Sequence, residues 1–386
     1  MQASINPPTA KIRRHDLDWI RVLVFGLLIL FHVGMFFVPW DWHLKNNVLY
    51  QPLVYPMAFL SQWRLHSLFL ISGMGTSFAL AFRDGKTFRK ERWTRLGVPL
   101  LFGMLVIVMP QVYLERLADG DFEGYWWEFY GVYFHQGAYP EGNFSWHHLW
   151  FLPYLLAYSL ILSPVLVWLK RNPEARLLQF TRSLLAKPWG LYTFILPLYL
   201  FEAFLEPFWP TTHNLVSDWF TFTNFAYYFF IGFLLIQVKE AFWAALDRLK
   251  GEALVTGILA FGTFLGIRIL LEDHIFVHFT EALVKVINAW SWILVIFGYG
   301  AQYLNKPSRL LSYCNEAVYP FYILHQTLTI ILAYYLMDLP WGFWPKFLIL
   351  AIGTFGGCWL LYEGFIRRFA VTRLLFGLKP KQKSKA

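Results

Sequence analysis

The chain has 386 residues, of which 57% are hydrophobic and 20% aromatic but only 15% are charged. Soluble domains carry about 25% charged residues, so the composition argues against a water-soluble protein and favours one polytopic membrane domain. A net charge of +9 would suit a nucleic-acid-binding protein, but in a chain this apolar it is better explained by cytoplasmic loops and anionic lipid.

About ten apolar stretches are long enough, or nearly so, to cross a hydrocarbon layer of about 30 Å. They cover roughly residues 19–38, 62–82, 97–114, 149–169, 189–208, 219–238, 253–271, 283–303, 317–337 and 346–366. Helix-breaking or charged residues interrupt the third, fifth and eighth, namely Pro110, Glu202 and Lys285. We predict an all-α membrane helix bundle over residues 1–370, followed by a basic cytoplasmic tail at 371–386.

The charges between these stretches alternate in sign along the chain. The segment 83–95 contains Arg83, Lys86, Arg89, Lys90, Arg92 and Arg95, whereas 115–148 contains Glu115, Asp119, Asp121, Glu123, Glu128 and Glu141. Because cytoplasmic loops are enriched in Lys and Arg, we predict that both termini are cytoplasmic. The 115–148 segment is also rich in aromatic residues, which suits either an aromatic belt at the membrane surface or a platform for stacking sugars.

The first apolar stretch contains two ionisable residues, Arg21 and His32, with ten residues between them. Eleven helical steps of about 100° bring both side chains to one face, about 16 Å apart along the axis. Ionisable groups inside a membrane are costly and usually mark a function. The spacing alone does not distinguish a functional pair from two structural residues, namely an arginine at the membrane interface and a buried, hydrogen-bonded histidine.

The second stretch contains His66 and a Ser72-Gly73 pair. The sequence alone favours a packing role for this pair, because small residues let helices approach closely. Alternatively, the serine hydroxyl could donate a hydrogen bond to an oxyanion. Further on, Arg92 and Arg95 are three positions apart, so both guanidinium groups lie near one face of a helix. They are suited to binding phosphate, or they simply belong to the cytoplasmic run of charge.

Histidines also mark the fourth and ninth stretches. His147, His148 and Trp150 lie at the entrance of the fourth, and His325 lies near the middle of the ninth. Adjacent histidines suggest a metal site, but consecutive helical side chains point about 100° apart, and no carboxylate nearby in the sequence completes a ligand set. We therefore predict no metal site and favour a sugar-binding or proton-handling role.

In their order along the chain, these motifs resemble the membrane-bound acyltransferase-3 family, from about Asp16 to Phe369. The matching segments are Arg21 with His32, Leu68-Phe69-Leu-Ile-Ser72-Gly73, Arg92 with Arg95, His148-Leu-Trp150-Phe-Leu152 and Tyr322-Ile-Leu-His325-Gln326. Leu68 stands where the family has a phenylalanine. The His148 segment and the ending Leu375-Phe-Gly-Leu-Lys-Pro380 look most like the glucan biosynthesis protein C branch.

The resemblance implies an O-acyltransferase of the bacterial cytoplasmic (inner) membrane with no bound cofactor. It would move an acetyl or succinyl group from cytoplasmic acyl-CoA to a hydroxyl of a cell-envelope glycan or lipid-linked saccharide, with His32 as general base or covalent nucleophile. The residues predicted for this activity are the catalytic His32, Arg21 and Ser72, the acyl-CoA-binding Arg92 and Arg95, and the acceptor-binding His66, His148, Trp150 and His325. A transporter or flippase for a glycan or small amphiphile is the alternative, because buried ionisable groups in a polytopic protein suit it equally well.

Overall fold

The computed structural model describes residues 13–135, 137–272 and 274–380. These residues form helices and connecting turns, with one isolated bridge between Ala138 and Phe144 and no β-strand among them. The helices α1 to α14 are, in order, His15–Met35, Val54–Ala79, Gly85–Asp119, Trp126–His135, His147–Ile161, Ser163–Arg171, Arg176–Leu185, Gly190–Phe204, Trp219–Gln237, Lys239–Leu270, Ile275–Tyr303, Arg309–Leu336, Phe343–Ile366 and Ala370–Leu375. The all-α prediction is confirmed.

Among the described residues, seven helices are long and apolar enough to cross a membrane, namely α1, α3, α9, α10, α11, α12 and α13. Helices α5 and α6 pass the same test together but meet at an angle of 53°, just before Pro164, so they form a broken span or a re-entrant pair. Helices α2 and α8 lie where two further spans are predicted. A multi-pass membrane bundle is thus confirmed, while the number of ten spans and the side of the termini stay predictions.

Helix α1 lies in the middle of the bundle. It packs against α2, α11, α12 and α13. Its buried apolar side chains include Leu17, Ile20, Val24, Phe25 and Leu28, and at about 100° per residue these lie within an arc of about 140° on one face of the helix. Arg21 and His32 fall in the same arc and therefore face protein, whereas Leu23, outside that arc, is 49% exposed.

Helix α3, which carries the arginine pair, begins well before the predicted third span and continues past Pro110. The proline is tolerated because it lies in the first turn of an α-helical segment, Met109–Asp119, where a missing N–H removes no helical hydrogen bond. Upstream, a π-helical turn at Trp93–Gly97 contains Arg95. Such turns add a residue to the helix and are frequent at functional sites.

The charges that interrupt two predicted spans neutralise each other. Lys285 of α11 donates a hydrogen bond from Nζ to Oε1 of Glu202 in α8. Neither charge therefore faces hydrocarbon without a partner, which is how ionisable residues are tolerated at membrane depth. On the outer surface of the bundle, by contrast, α10 exposes apolar side chains such as Val255, Ile258 and Leu259, each more than half exposed.

Two glycines bring α2 and α9 into close contact. A Cβ atom added at Gly73 would lie 1.8 Å from the carbonyl oxygen of Phe229, and one added at Gly232 would lie 2.0 Å from that of Leu70. The two backbones therefore touch directly, as small residues permit. This packing role accounts for the glycine of the Ser72-Gly73 pair.

The first part of the predicted basic tail is packed against the bundle. Phe376 and Leu378, which follow α14, are buried in the main apolar core. Arg373 forms an ion pair of 2.9 Å with Glu316 and donates from Nε to the carbonyl oxygen of Lys379. Residues 381–386 of the tail lie outside the described residues, and the domain boundary at residue 370 stays a prediction.

Candidate active site

An arginine-lined cavity of about 550 Å³ lies at the end of the bundle where α1 begins. Its walls include Arg21, Arg92 and Arg95, so the fold brings the arginine predicted to be catalytic together with the two predicted to bind acyl-CoA. Arg21 is tied to Asp18 and Asn315 through hydrogen bonds of 3.2 and 3.1 Å. These contacts fix the position of its guanidinium group on the cavity wall.

Arg92 and Arg95 are held by neutral groups. Arg92 donates from Nη2 to the hydroxyl oxygen of Thr76 at 3.0 Å, and Arg95 donates from Nε to the carbonyl oxygen of Gly377 at 3.3 Å. Within the described part of the chain, neither arginine forms an ion pair of 4.0 Å or less with a carboxylate. Their positive charge is therefore available to an anionic ligand, and the planar guanidinium suits phosphate.

Deeper in the bundle, His32 of α1 contacts His325 of α12. His32 Nδ1 lies 2.7 Å from His325 Nε2, and His325 Nδ1 lies 2.7 Å from the backbone carbonyl oxygen of Tyr322. His325 is fully buried. Each ring nitrogen of His325 is thus engaged with the protein.

This chain of contacts determines which nitrogens carry protons in the neutral pair. A carbonyl oxygen only accepts, so His325 Nδ1 must be the N–H that donates to Tyr322. His325 Nε2 is then an acceptor, and His32 Nδ1 must donate to it. His32 Nε2 is therefore left with a free lone pair, as a general base requires.

A small cavity of about 30 Å³, enough for about one water molecule, adjoins His32. Its lining residues are Phe25, Leu28, His32, Arg64, Leu65, Leu68, His148, Trp150, Phe151 and Tyr322. Phe25, Leu68 and Phe151 also line the arginine cavity. Arg21 and His32 therefore serve adjoining cavities along one face of α1, in agreement with the predicted geometry.

Arg64 is a residue of this site that the sequence analysis did not assign. Its side chain is 3% exposed, and its guanidinium group lies 3.7 Å from the ring centre of Phe31. Nε and Nη1 are buried and have no hydrogen-bond partner in the described structure. A buried cation with unused N–H donors beside His32 is suited to stabilising negative charge that develops there. In the sequence, Arg64 is an isolated arginine near the start of the second apolar stretch, with no motif that marks it.

A third cavity, of about 370 Å³, lies on the other side of Leu65, which lines both it and the His32 cavity. Its walls carry the polar side chains of Ser61, Gln62, His66, Glu202, Thr211, His213, Thr221, Asn224 and Lys285. His66 Nε2 lies 3.3 Å from Asn224 Nδ2. The predicted acceptor residue His66 is thus in a polar cavity that adjoins the histidine pair.

The other predicted residues occupy the walls between these cavities. Ser72 lines the arginine cavity and donates from Oγ to the carbonyl oxygen of Leu68 at 2.7 Å, so its proton points along its own helix. His148 Nε2 donates to the carbonyl oxygen of Ile323 at 3.0 Å. Its Nδ1 lies 3.4 Å from Nε2 of Gln111, which is a donor.

Trp150 lies between the His32 cavity and the polar cavity. Its ring stacks on His213 at a centroid distance of 3.9 Å, and His213 lines the polar cavity. Burial lowers the pKa of His213 to about 4. The ring of His213 is therefore neutral near pH 7 and contributes as a flat, uncharged surface.

Comparisons with known proteins show the family to which the chain belongs. The family model described as an acyltransferase domain matches residues 14–363. Glucans biosynthesis protein C from Escherichia coli O81 (strain ED1a), Salmonella schwarzengrund (strain CVM19633) and Escherichia coli (strain K12) is in each case 23% identical, with 97% of this chain and 97% of the relative covered. No solved structure gives a significant match. The resemblance inferred from the sequence motifs is confirmed, and the chain belongs to the acyltransferase-3 family of membrane acyltransferases.

Proposed function

We propose that this enzyme transfers an acetyl or succinyl group from cytoplasmic acyl-CoA to a hydroxyl of a cell-envelope glycan, in the inner membrane of a bacterium. The observation that carries the proposal is the order of three adjoining cavities. The arginine cavity, the His32 cavity and the polar cavity follow one another, joined by shared wall residues. A donor site and an acceptor site on opposite sides of a base are what such a transfer requires.

The arginine cavity is the proposed donor site. Arg21, Arg92 and Arg95 would contact the phosphate groups of CoA, which are cytoplasmic if the positive-inside rule orients the bundle. The thioester would then pass between Phe25, Leu68 and Phe151 to reach His32. Because the cavity at His32 has a volume of only about 30 Å³, these side chains must move aside when the acyl group enters.

His32 Nε2 is the proposed general base. It takes the proton of the acceptor hydroxyl as the hydroxyl oxygen attacks the thioester carbonyl carbon. The C–S bond then breaks, and the CoA thiolate receives the proton from His32, so that the ester and free CoA are the products and the base is restored. Arg64 would stabilise the oxyanion of the tetrahedral intermediate, in preference to Ser72, whose hydroxyl proton already bonds Leu68.

The polar cavity is the proposed acceptor site. Its amides, hydroxyls and charged groups suit the hydroxyls of a saccharide, and the name of the similar proteins points to glucans. His66 would contact the acceptor directly, and Trp150 would form the wall between acceptor and base. His148 and His325 use their ring nitrogens within the protein. We therefore propose that these two position the site and do not contact the glycan.

The test is the release of free CoA by the purified enzyme, given acyl-CoA and cell-envelope glucan, together with mass spectrometry of the glucan. The unaltered enzyme should release CoA and add one acyl mass per modified sugar, and His32→Ala should do neither while keeping its abundance and elution volume. His15→Ala, on the same helix but away from the cavities, is the matched control. A transporter would move glucan without consuming acyl-CoA, and normal CoA release by His32→Ala would refute the proposal.

A further inference from the structure

A cluster of two histidines and a glutamate lies at the opposite end of the bundle from the arginine cavity. His43 follows α1, Glu115 belongs to the last turns of α3, and His147 opens α5. One ligand atom from each residue lies within 4.8 Å of the other two. His43 Nδ1 is 2.5 Å from Glu115 Oε2, and the ring centres of the two histidines are 4.3 Å apart.

Sequence reasoning missed this cluster because its members are far apart in the chain. It considered the adjacent histidines 147 and 148, found no carboxylate nearby and predicted no metal site. The fold separates those two histidines: His148 turns inward to Ile323, whereas His147 turns towards His43. The carboxylate comes from a helix that ends well before them, and it is 5% exposed in the folded protein.

Two features of the cluster indicate a ligand that is not part of the chain. The Nε2 atom of His147 is buried and has no hydrogen-bond partner in the described structure. The backbone of His147 also has a φ of +37°, in the left-handed region that residues other than glycine rarely adopt. An unsatisfied buried nitrogen on a rarely adopted backbone conformation is unfavourable unless something binds it.

The surrounding contacts are those of an outer shell around a metal site. Tyr139 donates its hydroxyl to Glu115 Oε1 at 2.9 Å, which orients the carboxylate and leaves Oε2 directed at His43. On the far side of His43, Nε2 lies 3.0 Å from the side-chain amide of Gln326, which must turn its oxygen towards Nε2 to accept the proton there when Nδ1 binds an ion. Metal-binding histidines and carboxylates are typically held by such second contacts.

We propose that His43, Glu115 and His147 bind a divalent transition-metal ion of the zinc class. Two imidazoles and one carboxylate are a known three-residue zinc ligand set, with the fourth position left to water. Tetrahedral bonds of about 2.0–2.1 Å require ligand atoms about 3.4 Å apart. The separations in the cluster, from 2.5 Å up to 4.8 Å, lie on both sides of that value, so small side-chain movements complete the geometry.

The ion would join three segments that are distant in the sequence. It would fix the loop after α1 and the entrance of α5 to the end of α3. Through Gln326 it would also be connected to α12 at the residue next to His325. The site therefore acts as a cross-link close to the histidine pair, and its existence does not depend on the identity of the acyl group or the acceptor.

The test measures metal content and uses the full chain, purified without a polyhistidine tag. After incubation with Zn²⁺ and desalting, the unaltered protein should retain about one zinc ion per chain by mass spectrometry of the metal. His147→Ala and Glu115→Gln should retain little, and His15→Ala, a histidine outside the cluster, should retain the full amount. Zinc at the level of a protein-free blank, or equal zinc in the unaltered chain and a folded His147→Ala chain, overturns the proposal.

A second measurement needs only the unaltered chain, so it decides the question even if the variants fail to fold. Co²⁺ bound by two imidazoles and a carboxylate in a four- or five-coordinate site absorbs visible light far more strongly than hydrated Co²⁺. The unaltered chain should show this absorption, and Zn²⁺ should abolish it by competition. A spectrum identical to that of Co²⁺ in buffer overturns the proposal.

Discussion

His32 Nδ1 lies 2.7 Å from His325 Nε2, although the two residues are 293 positions apart in the chain. Their rings are nearly parallel, with an interplanar angle of 9° and centroids 4.9 Å apart. Because His325 also donates to the carbonyl oxygen of Tyr322, it can only accept from His32 when both rings are neutral. His325 thus selects the tautomer in which His32 presents a free Nε2 to the small cavity.

Replacing His325 tests this positioning role. His325→Phe removes the acceptor for His32 Nδ1, so we expect kcat to fall on the order of 100-fold, since a base in the wrong tautomer cannot take the proton. The KM for acyl-CoA should not change, because His325 is remote from the arginine cavity. Both constants are obtained from initial rates of CoA release.

His325→Gln is the matched variant, since its amide oxygen can accept from His32. It should recover a substantial part of the kcat lost in His325→Phe. Equal losses in the two variants, or a change confined to KM, would contradict a positioning role and indicate a packing defect or a contact with substrate.

Arg64→Met should separate activity from stability. If Arg64 stabilises the oxyanion, its loss should lower kcat by about 10²- to 10³-fold, the usual effect of removing one such donor. The free energy of unfolding should not decrease, because a buried cation without a carboxylate partner is replaced by an apolar chain of similar length. Rates of CoA release and the thermal midpoint in detergent measure the two effects.

Arg64→Lys is the companion variant, since it keeps the charge and loses the guanidinium. An intermediate kcat is expected, because an ammonium group is a stabilising charge without the planar donors. A lower thermal midpoint in Arg64→Met together with unchanged kcat would show that the arginine stabilises the fold and not the reaction.

Much of the donor end could be predicted from the sequence, because it depends on local spacing. Arg21 and His32 share one α-helix, so helical periodicity alone places them on one face. Arg92 and Arg95 are three positions apart and both line the arginine cavity, although the π-helical turn at Trp93–Gly97 departs from regular α-helical periodicity. That the two pairs meet at neighbouring cavities follows only from the packing of α1 and α3 within the bundle. The resemblance to the family implies this meeting, because it assigns both pairs to one reaction.

The rest of the site depends on contacts that periodicity does not encode. The pairing of His32 with His325 and the approach of Glu115 to His147 join segments that are remote in sequence. Arg64 was not assigned because an arginine near the end of a span usually reaches water, and only the packing around Phe31 shows that it does not. Lys285 and Glu202 likewise lowered the apolar character of two predicted spans, whereas in the bundle they neutralise each other.

Arg92→Ala and Arg95→Ala should raise the KM for acyl-CoA. Each removes charge-assisted hydrogen bonds to phosphate, worth about 1.5–3 kcal/mol, which corresponds to about a tenfold or greater increase in KM for each variant. The arginines contact the CoA phosphates equally in the substrate complex and in the transition state, so kcat should change little.

Arg89→Ala is the control for this experiment. Arg89 lies on the same helix, and its Nη1 is 3.4 Å from the hydroxyl oxygen of Ser163, away from the arginine cavity. Its loss should leave the KM for acyl-CoA unchanged. Equal effects of Arg89→Ala and Arg92→Ala would show that the arginines contribute only the general positive potential of the cytoplasmic surface.

Gly73→Ala should destabilise the contact between α2 and α9. The added methyl group would lie 1.8 Å from the carbonyl oxygen of Phe229, which belongs to a helix backbone and cannot rotate away. The two helices must therefore move apart, and we expect the free energy of unfolding to fall by about 1–3 kcal/mol, as for overpacked cores.

Gly262→Ala on α10 is the control, because a Cβ atom there meets nothing within 4 Å. Alanine also favours a helix over glycine by up to about 1 kcal/mol. Thermal midpoints in detergent should therefore fall for Gly73→Ala and stay equal or rise for Gly262→Ala. Equal midpoints for Gly73→Ala and the unaltered chain would show that α2 and α9 are further apart than the structure places them.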